Sequence, residues 1–439
     1  MDTVCAVSTP RGKGGISVIR VSGKDAIDIT ASIFRSKKDI RNAATHTVTF
    51  GVCENKGHEI DQCLVTVFRE PESFTGENVC EISCHGSVIS VERIIDALIE
   101  HGASPAGRGE FTKRAFMNGK MSLTQAEAVN DIINAKTDGA LWAAVNRIEG
   151  GIAKPIIEIR EELLELLAAI QVSTDFPEDD IDAFAGGELS EKLENIKSKL
   201  EKLKSTARRG EALNNGIICA ICGIPNTGKS SLLNALLEKR KAIVTDTAGT
   251  TRDVVEEWID IEGIPVKIGD TAGIRESSDN IESMGIEMSV EYIKNADICI
   301  FVTEAGRELT KEEEKIISEI NVPYLKVGNK TDIHEEKRSG YIGISAKKSI
   351  GIEELKKKIS ALAGDEEPSG LIANERQFEA VVKALSAVKR AIKGIEDGFF
   401  SDLAAIDIQE AVGHLGEAEG ISVNQETVNK IFEKFCLGK

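Results

Sequence analysis

The spacing of apolar residues changes period along the chain. Between residues 1 and 118, short apolar runs separated by turns, such as Gly15–Val21 and Cys63–Phe68, predict strands. A single stretch near 88–100 carries a helical period, so an N-terminal α+β domain is expected. In residues 119–212 the period becomes helical throughout. Ile156, Ile159, Leu163, Leu166 and Ile170 follow 3,4 spacing, as do Leu189, Leu193, Ile196, Leu200 and Leu203. Such stripes predict helices packed in a bundle. From 213 to 365, strand-like runs alternate with loops and helical stretches, the pattern of a mostly parallel sheet flanked by helices. A polar linker, Gly364–Gly370, ends that segment, and residues 366–439 return to helical periodicity. The expected fold is therefore a multidomain α/β chain. It has an N-terminal α+β domain and an all-α helical domain in two parts, with a sheet domain inserted between them.

Composition narrows the function. The chain has 439 residues, enough for several domains, and a formal net charge of −18. That charge disfavours nonspecific nucleic-acid binding, so an RNA partner needs a local basic surface or a second protein. No apolar run approaches the roughly 18 residues that span a bilayer. The start, Met1–Gly15, lacks a basic-then-apolar leader, so a cytoplasmic protein without membrane contact is expected. Nine cysteines, an odd number, argue against a disulfide framework. Cys219 and Cys222 lie three apart in one strand and are expected to pack in the core. Cys80, Cys84 and His85 lack a second ligand pair with zinc spacing. The run Lys311–Lys315 reads as a solvated helix face.

The inserted segment carries the chemistry. Gly223-Ile224-Pro225-Asn226-Thr227-Gly228-Lys229-Ser230 fits G-x-x-x-x-G-K-[ST] between an apolar strand and the helix opening at Ser231. Backbone N–H groups there would cradle phosphates, Lys229 would reach the β- and γ-phosphates, and Ser230 would ligand Mg²⁺. Asp270-Thr271-Ala272-Gly273 follows a second strand; Asp270 would hold Mg²⁺ through water, and the Gly273 amide would meet the γ-phosphate. Asn329-Lys330-Thr331-Asp332 and Ser345-Ala346-Lys347 each follow a further strand. The Asp332 carboxylate can accept two N–H donors that guanine offers and adenine does not. The order of these elements makes the segment a Ras-like P-loop G domain for GTP. Thr245-Asp246-Thr247-Ala248-Gly249-Thr250-Thr251 sits where a first switch loop belongs, with Thr251 as the Mg²⁺ and γ-phosphate ligand. Ile274 stands where Ras-like enzymes place the water-orienting Gln. Hydrolysis then needs another group, and Arg275, Glu276 and Glu282 are candidates.

Motifs at both ends extend the reading. Arg11–Ile16, Ile19–Gly23, Ser73–Glu77, Glu81-Ile82, Cys84–Gly86, Gly109–Thr112, Asp175–Glu178 and the final Phe435-Cys436-Leu437-Gly438-Lys439 resemble those of the MnmE (TrmE) family of tRNA-modification GTPases. The resemblance covers the whole chain. It implies an N-terminal domain that binds tetrahydrofolate and forms a constitutive homodimer. It also implies action with the flavoprotein MnmG to install an aminomethyl or carboxymethylaminomethyl group on C5 of the wobble uridine of certain tRNAs. The carbon would come from 5-formyltetrahydrofolate or 5,10-methylenetetrahydrofolate. Hydrolysis would need K⁺ and pairing of G domains. Matched residue by residue, Asn226 is a K⁺ ligand, with backbone carbonyls of Thr245, Thr247 and Thr250 completing its shell. Many relatives carry an aliphatic residue at the Thr247 position, a change that a carbonyl ligand tolerates. Glu282 matches the residue that orients the water bridging to the nucleophile. Arg20, Glu81, Lys120 and Lys439 match folate-binding positions. Cys436 is the candidate for one-carbon chemistry, with a structural role as the alternative. Two other readings stay open: a ribosome-assembly GTPase of the Era or EngA type, and a non-catalytic GTP switch or scaffold.

Overall fold

The computed structural model describes residues 2–175, 187–237, 258–269, 295–364, 371–372, 374–397, 401–421 and 423–439. These form two compact units, one of residues 1–130 with 419–439, the other of residues 131–418.

The first unit is built on a seven-stranded sheet in the order β3-β4-β5-β6-β2-β1-β7. The strands are β1 (Val4–Val7), β2 (Gly14–Ser22), β3 (Phe34–Ser36), β4 (Thr47–Asn55), β5 (His58–Phe68), β6 (Val79–Gly86) and β7 (Ser104–Pro105). The helix Val88–Glu100, expected from its period, is present. Two more helices occur where one was expected, Ala26–Ile33 and Glu110–Met117. The first is rich in β-branched residues, and tertiary packing overrides that local preference. Its Ile27, Ile29 and Ile33 join Ile94 and Leu98 over the buried sheet residues Ile19, Val65 and Ile82. The opposite sheet face exposes Val48, Phe50 and Leu64. Residues 419–439 belong to this unit. The helix Gln425–Glu433 sets Val428 and Phe432 against Leu123.

The second unit holds two cores. Helices Ala153–Asp175, Glu188–Ser205, Glu375–Glu396 and Ser401–Glu419 bury both stripes read from the sequence, together with Val381, Leu385, Val388 and Ile408. The other core belongs to a six-stranded sheet in the order β13-β12-β11-β8-β10-β9. Its strands are β8 (Ile217–Cys222), β9 (Trp258–Ile261), β10 (Ile264–Gly269), β11 (Ile298–Glu304), β12 (Tyr324–Asn329) and β13 (Tyr341–Gly343). All pairings are parallel except β9–β10. Cys219 faces one side of this sheet and Cys222 the other, each in a hydrophobic cluster.

Lys311–Lys315 departs from its solvated reading. Glu313 is 0% exposed. It completes a capping box with Thr310, and its carboxylate accepts from Thr303 Oγ1 and from two Arg307 nitrogens, each at 2.7 Å. Burial pushes this carboxyl up. The hydrogen bonds from Arg307, the Thr310 N–H and Thr303 outweigh that and hold it at about 2.

Candidate functional site

The phosphate loop leaves β8 at Cys222 and enters the helix Lys229–Leu237. Three left-handed or near-left-handed residues shape it: Gly223 (φ 144°), Asn226 (φ 65°) and Gly228 (φ 92°). Such reversals turn successive N–H groups toward one concavity, a geometry suited to anions. Side chains are excluded where the loop lies closest to its neighbours. A Cβ at Gly223 would come within 2.1 Å of Val302 O, and one at Gly228 within 2.2 Å of Asn329 Nδ2. Lys229 Nζ folds over the loop and donates to Gly223 O and Ile224 O at 2.8 and 2.9 Å. Thr227 Oγ1 donates to Ile224 O at 3.0 Å. Asn226, Ser230 and Ser231 are exposed.

Asn329 joins this loop to the other end of the site. Its Nδ2 donates to Thr227 O at 2.9 Å, and its Oδ1 accepts from Ala346 N at 3.0 Å. Asn329 is buried. Ser345 Oγ donates to Asp332 Oδ1 at 2.7 Å, which holds the Asp332 carboxyl below its ordinary range. Lys330 adopts φ 69° and pairs with Glu304 Oε1 at 3.3 Å; Lys347 is exposed. Three loops distant in sequence (223–230, 329–332 and 345–347) thus meet at the C-terminal ends of β8, β12 and β13. That is where open parallel sheets place ligands. Thr245–Thr251, Asp270–Gly273, Ile274, Arg275, Glu276 and Glu282 lie outside the described residues.

A second constellation lies in the first unit. Arg20 on β2 and Glu81 on β6 are cross-strand partners. Arg20 Nε and Nη2 both donate to Glu81 Oε1, at 3.0 and 2.7 Å. Arg20 Nη1 is buried and has no partner among the described residues. An anion or a polar heterocycle presenting an acceptor would satisfy it. Residues 436–439 are stitched alongside. Ser8 Oγ donates to Gly438 O at 2.9 Å, and Phe111 N donates to Lys439 O at 3.1 Å. A Cβ at Gly438 (φ 89°) would sit 2.0 Å from Val7 O. Burial and then the Arg20 charge lower the Lys439 ammonium below its usual range. Cys436 is exposed. Lys120 takes another route, donating to Pro71 O at 3.0 Å.

The sequence reading passed over Phe74 and Phe111. Their ring centroids lie 5.3 and 5.4 Å from the Arg20 guanidinium carbon. Both fall inside the quoted motifs Ser73–Glu77 and Gly109–Thr112, which was the available signal.

Residues 3–120 match the model of the GTP-binding protein TrmE N-terminus, and residues 123–436 match that of the MnmE helical domain. The tRNA modification GTPase MnmE of Lactobacillus acidophilus is 40% identical over 454 residues, covering 100% of this chain and 98% of the relative. That of Acetivibrio thermocellus is 41% identical over 455 residues, covering 100% and 99%. Among solved structures, Era bound to MgGDPNP and a 16S ribosomal RNA fragment aligns with 39% of this chain and 66% of its own. Identity there is 27% and the TM-score 0.27. With two family models spanning nearly its whole length and full-length relatives at this identity, the chain belongs to the MnmE family of tRNA modification GTPases.

Proposed function

We propose that the chain binds and hydrolyses GTP and couples that cycle to modification of the wobble uridine of tRNA, acting as a homodimer with the flavoprotein MnmG in the cytoplasm. The observation that carries the GTP half is the junction at Asn329, which ties the phosphate loop to the Asp332–Ser345 corner. Lys229 and the loop N–H groups hold the phosphates, and the Asp332 carboxylate accepts the paired donors of guanine. Ser230 and Thr251 would hold Mg²⁺. Asn226, with carbonyls of Thr245, Thr247 and Thr250, would hold K⁺; such cations offset charge that develops on the phosphates. Ile274 cannot orient water, and Glu282 takes that part.

The Arg20–Glu81–Lys439 group supports a tetrahydrofolate site. Arg20 Nη1 waits for an acceptor, Glu81 can pair with pterin donors, and cations from Lys439 and Lys120 suit a glutamate tail. Among the described residues no helix is long and apolar enough to cross a membrane. The exposed apolar face of β4 and β5, with Phe50 beside Leu64 in register, supports a dimer.

Nucleoside mass spectrometry of tRNA tests the whole reading. A deletion strain is expected to lose the C5-modified wobble uridine, with recovery on return of the unmodified gene and none with Asn226→Ala. The Asn226→Ala protein is expected to bind GTP and lose K⁺ stimulation of hydrolysis. Unchanged wobble nucleosides in the deletion strain would refute the assignment. Equal stimulation of the unmodified protein by K⁺ and Na⁺ would refute the role of Asn226.

A further inference from the structure

Arg20 gives two of its nitrogens to one Glu81 oxygen, and the third stays buried without a partner among the described residues. A buried donor left unpaired is costly, so its direction matters. The rings of Phe74 and Phe111 both lie against the guanidinium, with centroids 5.3 and 5.4 Å from its carbon.

A buried polar network links the segments that carry these rings. Phe74 belongs to the loop before β6. In that loop Ser73 Oγ donates to Glu77 O at 2.5 Å, and Glu77 N donates to Thr75 Oγ1 at 3.3 Å. Ser22 Oγ donates to Glu77 Oε2 at 2.8 Å and also lies 2.8 Å from Thr75 Oγ1. A carboxylate only accepts, so the Ser22 proton goes to Glu77 and the Thr75 hydroxyl donates to Ser22. Phe111 belongs to the helix Glu110–Met117. Arg114 of that helix donates from Nη1 to Glu77 Oε2 at 3.1 Å and from Nε to Glu110 Oε1 at 3.0 Å. Ser22, Thr75 and Arg114 are all buried. Glu77 is therefore the joint between the loop carrying Phe74, the helix carrying Phe111, and the strand carrying Arg20.

We propose that Glu77, acting through Arg114 and Ser22, is a positioning residue for the one-carbon-donor site. It sets the two rings against Arg20 and so aims Nη1 at a ligand acceptor. This rests on reading the Arg20–Glu81 site as the tetrahydrofolate site. Glu77→Gln keeps the shape but removes the charge opposite Arg114, and with its oxygen kept on Ser22 its amide nitrogen takes the place of Oε1, which accepts from Arg114 Nη1 at 3.4 Å.

Calorimetric titration of the full chain with 5-formyltetrahydrofolate provides the test. Glu77→Gln is expected to weaken binding about tenfold, the equivalent of one lost charge-assisted hydrogen bond, while GTP hydrolysis stays at the unmodified level. Phe74→Leu is expected to weaken binding to a similar extent. In the double variant the combined loss is expected to fall short of the sum, because one of the two rings that Glu77 positions is that of Phe74. A purely structural role for Glu77 would lower the melting temperature and leave affinity intact, or give additive losses, and either result overturns the proposal. Should Glu77→Gln fail to fold, unchanged affinity in Phe74→Leu overturns it equally. If the unmodified, GTP-hydrolysing protein binds no 5-formyltetrahydrofolate, the folate reading and this proposal fall together. If it binds and Glu77→Gln binds as well, only the proposal falls.

Discussion

Asn329→Ala removes two hydrogen bonds that cross the nucleotide site. Thr227 O loses its donor at 2.9 Å and Ala346 N its acceptor at 3.0 Å. Each lost bond is worth about 1 kcal/mol net, and a buried group left unpaired costs about 1–3 kcal/mol. Water entering the space left by the amide recovers part of this. The loss then comes to about 2–4 kcal/mol in the geometry that holds nucleotide, or roughly 30- to 900-fold in affinity. The damage lies in loop geometry, so GTP and GDP should weaken together. Titration with a fluorescent GDP analogue, run beside a thermal melt, measures both affinity and folding. Affinity within about threefold of the unmodified protein, in a folded sample, would refute the view that Asn329 holds the phosphate loop in place.

Other outcomes follow from the same geometry. Asp332→Asn is expected to lower GTP affinity about 100-fold and to favour xanthosine triphosphate, checked by competition binding, because the amide offers guanine a donor where two acceptors are needed. Glu313→Gln is expected to destabilise the second unit by on the order of 3 kcal/mol at neutral pH. The folded carboxyl sits at about 2, below its ordinary 4.5, so its contribution is complete above pH 4.5 and vanishes as pH falls through 2. Urea melts of the two proteins should therefore converge over that window, and a gap persisting at pH 2 would contradict the assignment. Gly438→Ala is expected to displace residues 436–439. It adds a Cβ 2.0 Å from Val7 O at a left-handed position, and faster proteolysis of the C-terminal segment would report it.

Much of this was legible because local chemistry dictated it. The stripe Ile156–Ile170 could only be a helix with one apolar face, and all five positions are buried. Gly223–Ser230 needed glycines where the backbone turns and approaches Val302, and it folds that way. Glu313 was misread because a charge run looks solvated in one dimension. Only the approach of Arg307 and Thr303 makes burial tolerable.

The sequence by itself determined element types, the order of nucleotide motifs and the family, because period, turn chemistry and motif spacing act over a few residues. Tertiary structure decided what meets what. It brought Asn329 to Thr227, 102 positions away, and Ser8 to Gly438, 430 positions away. It also brought Phe74 and Phe111 to Arg20 and joined the segments that carry them through Glu77. Contacts between distant residues depend on sheet order and packing, which no local pattern encodes.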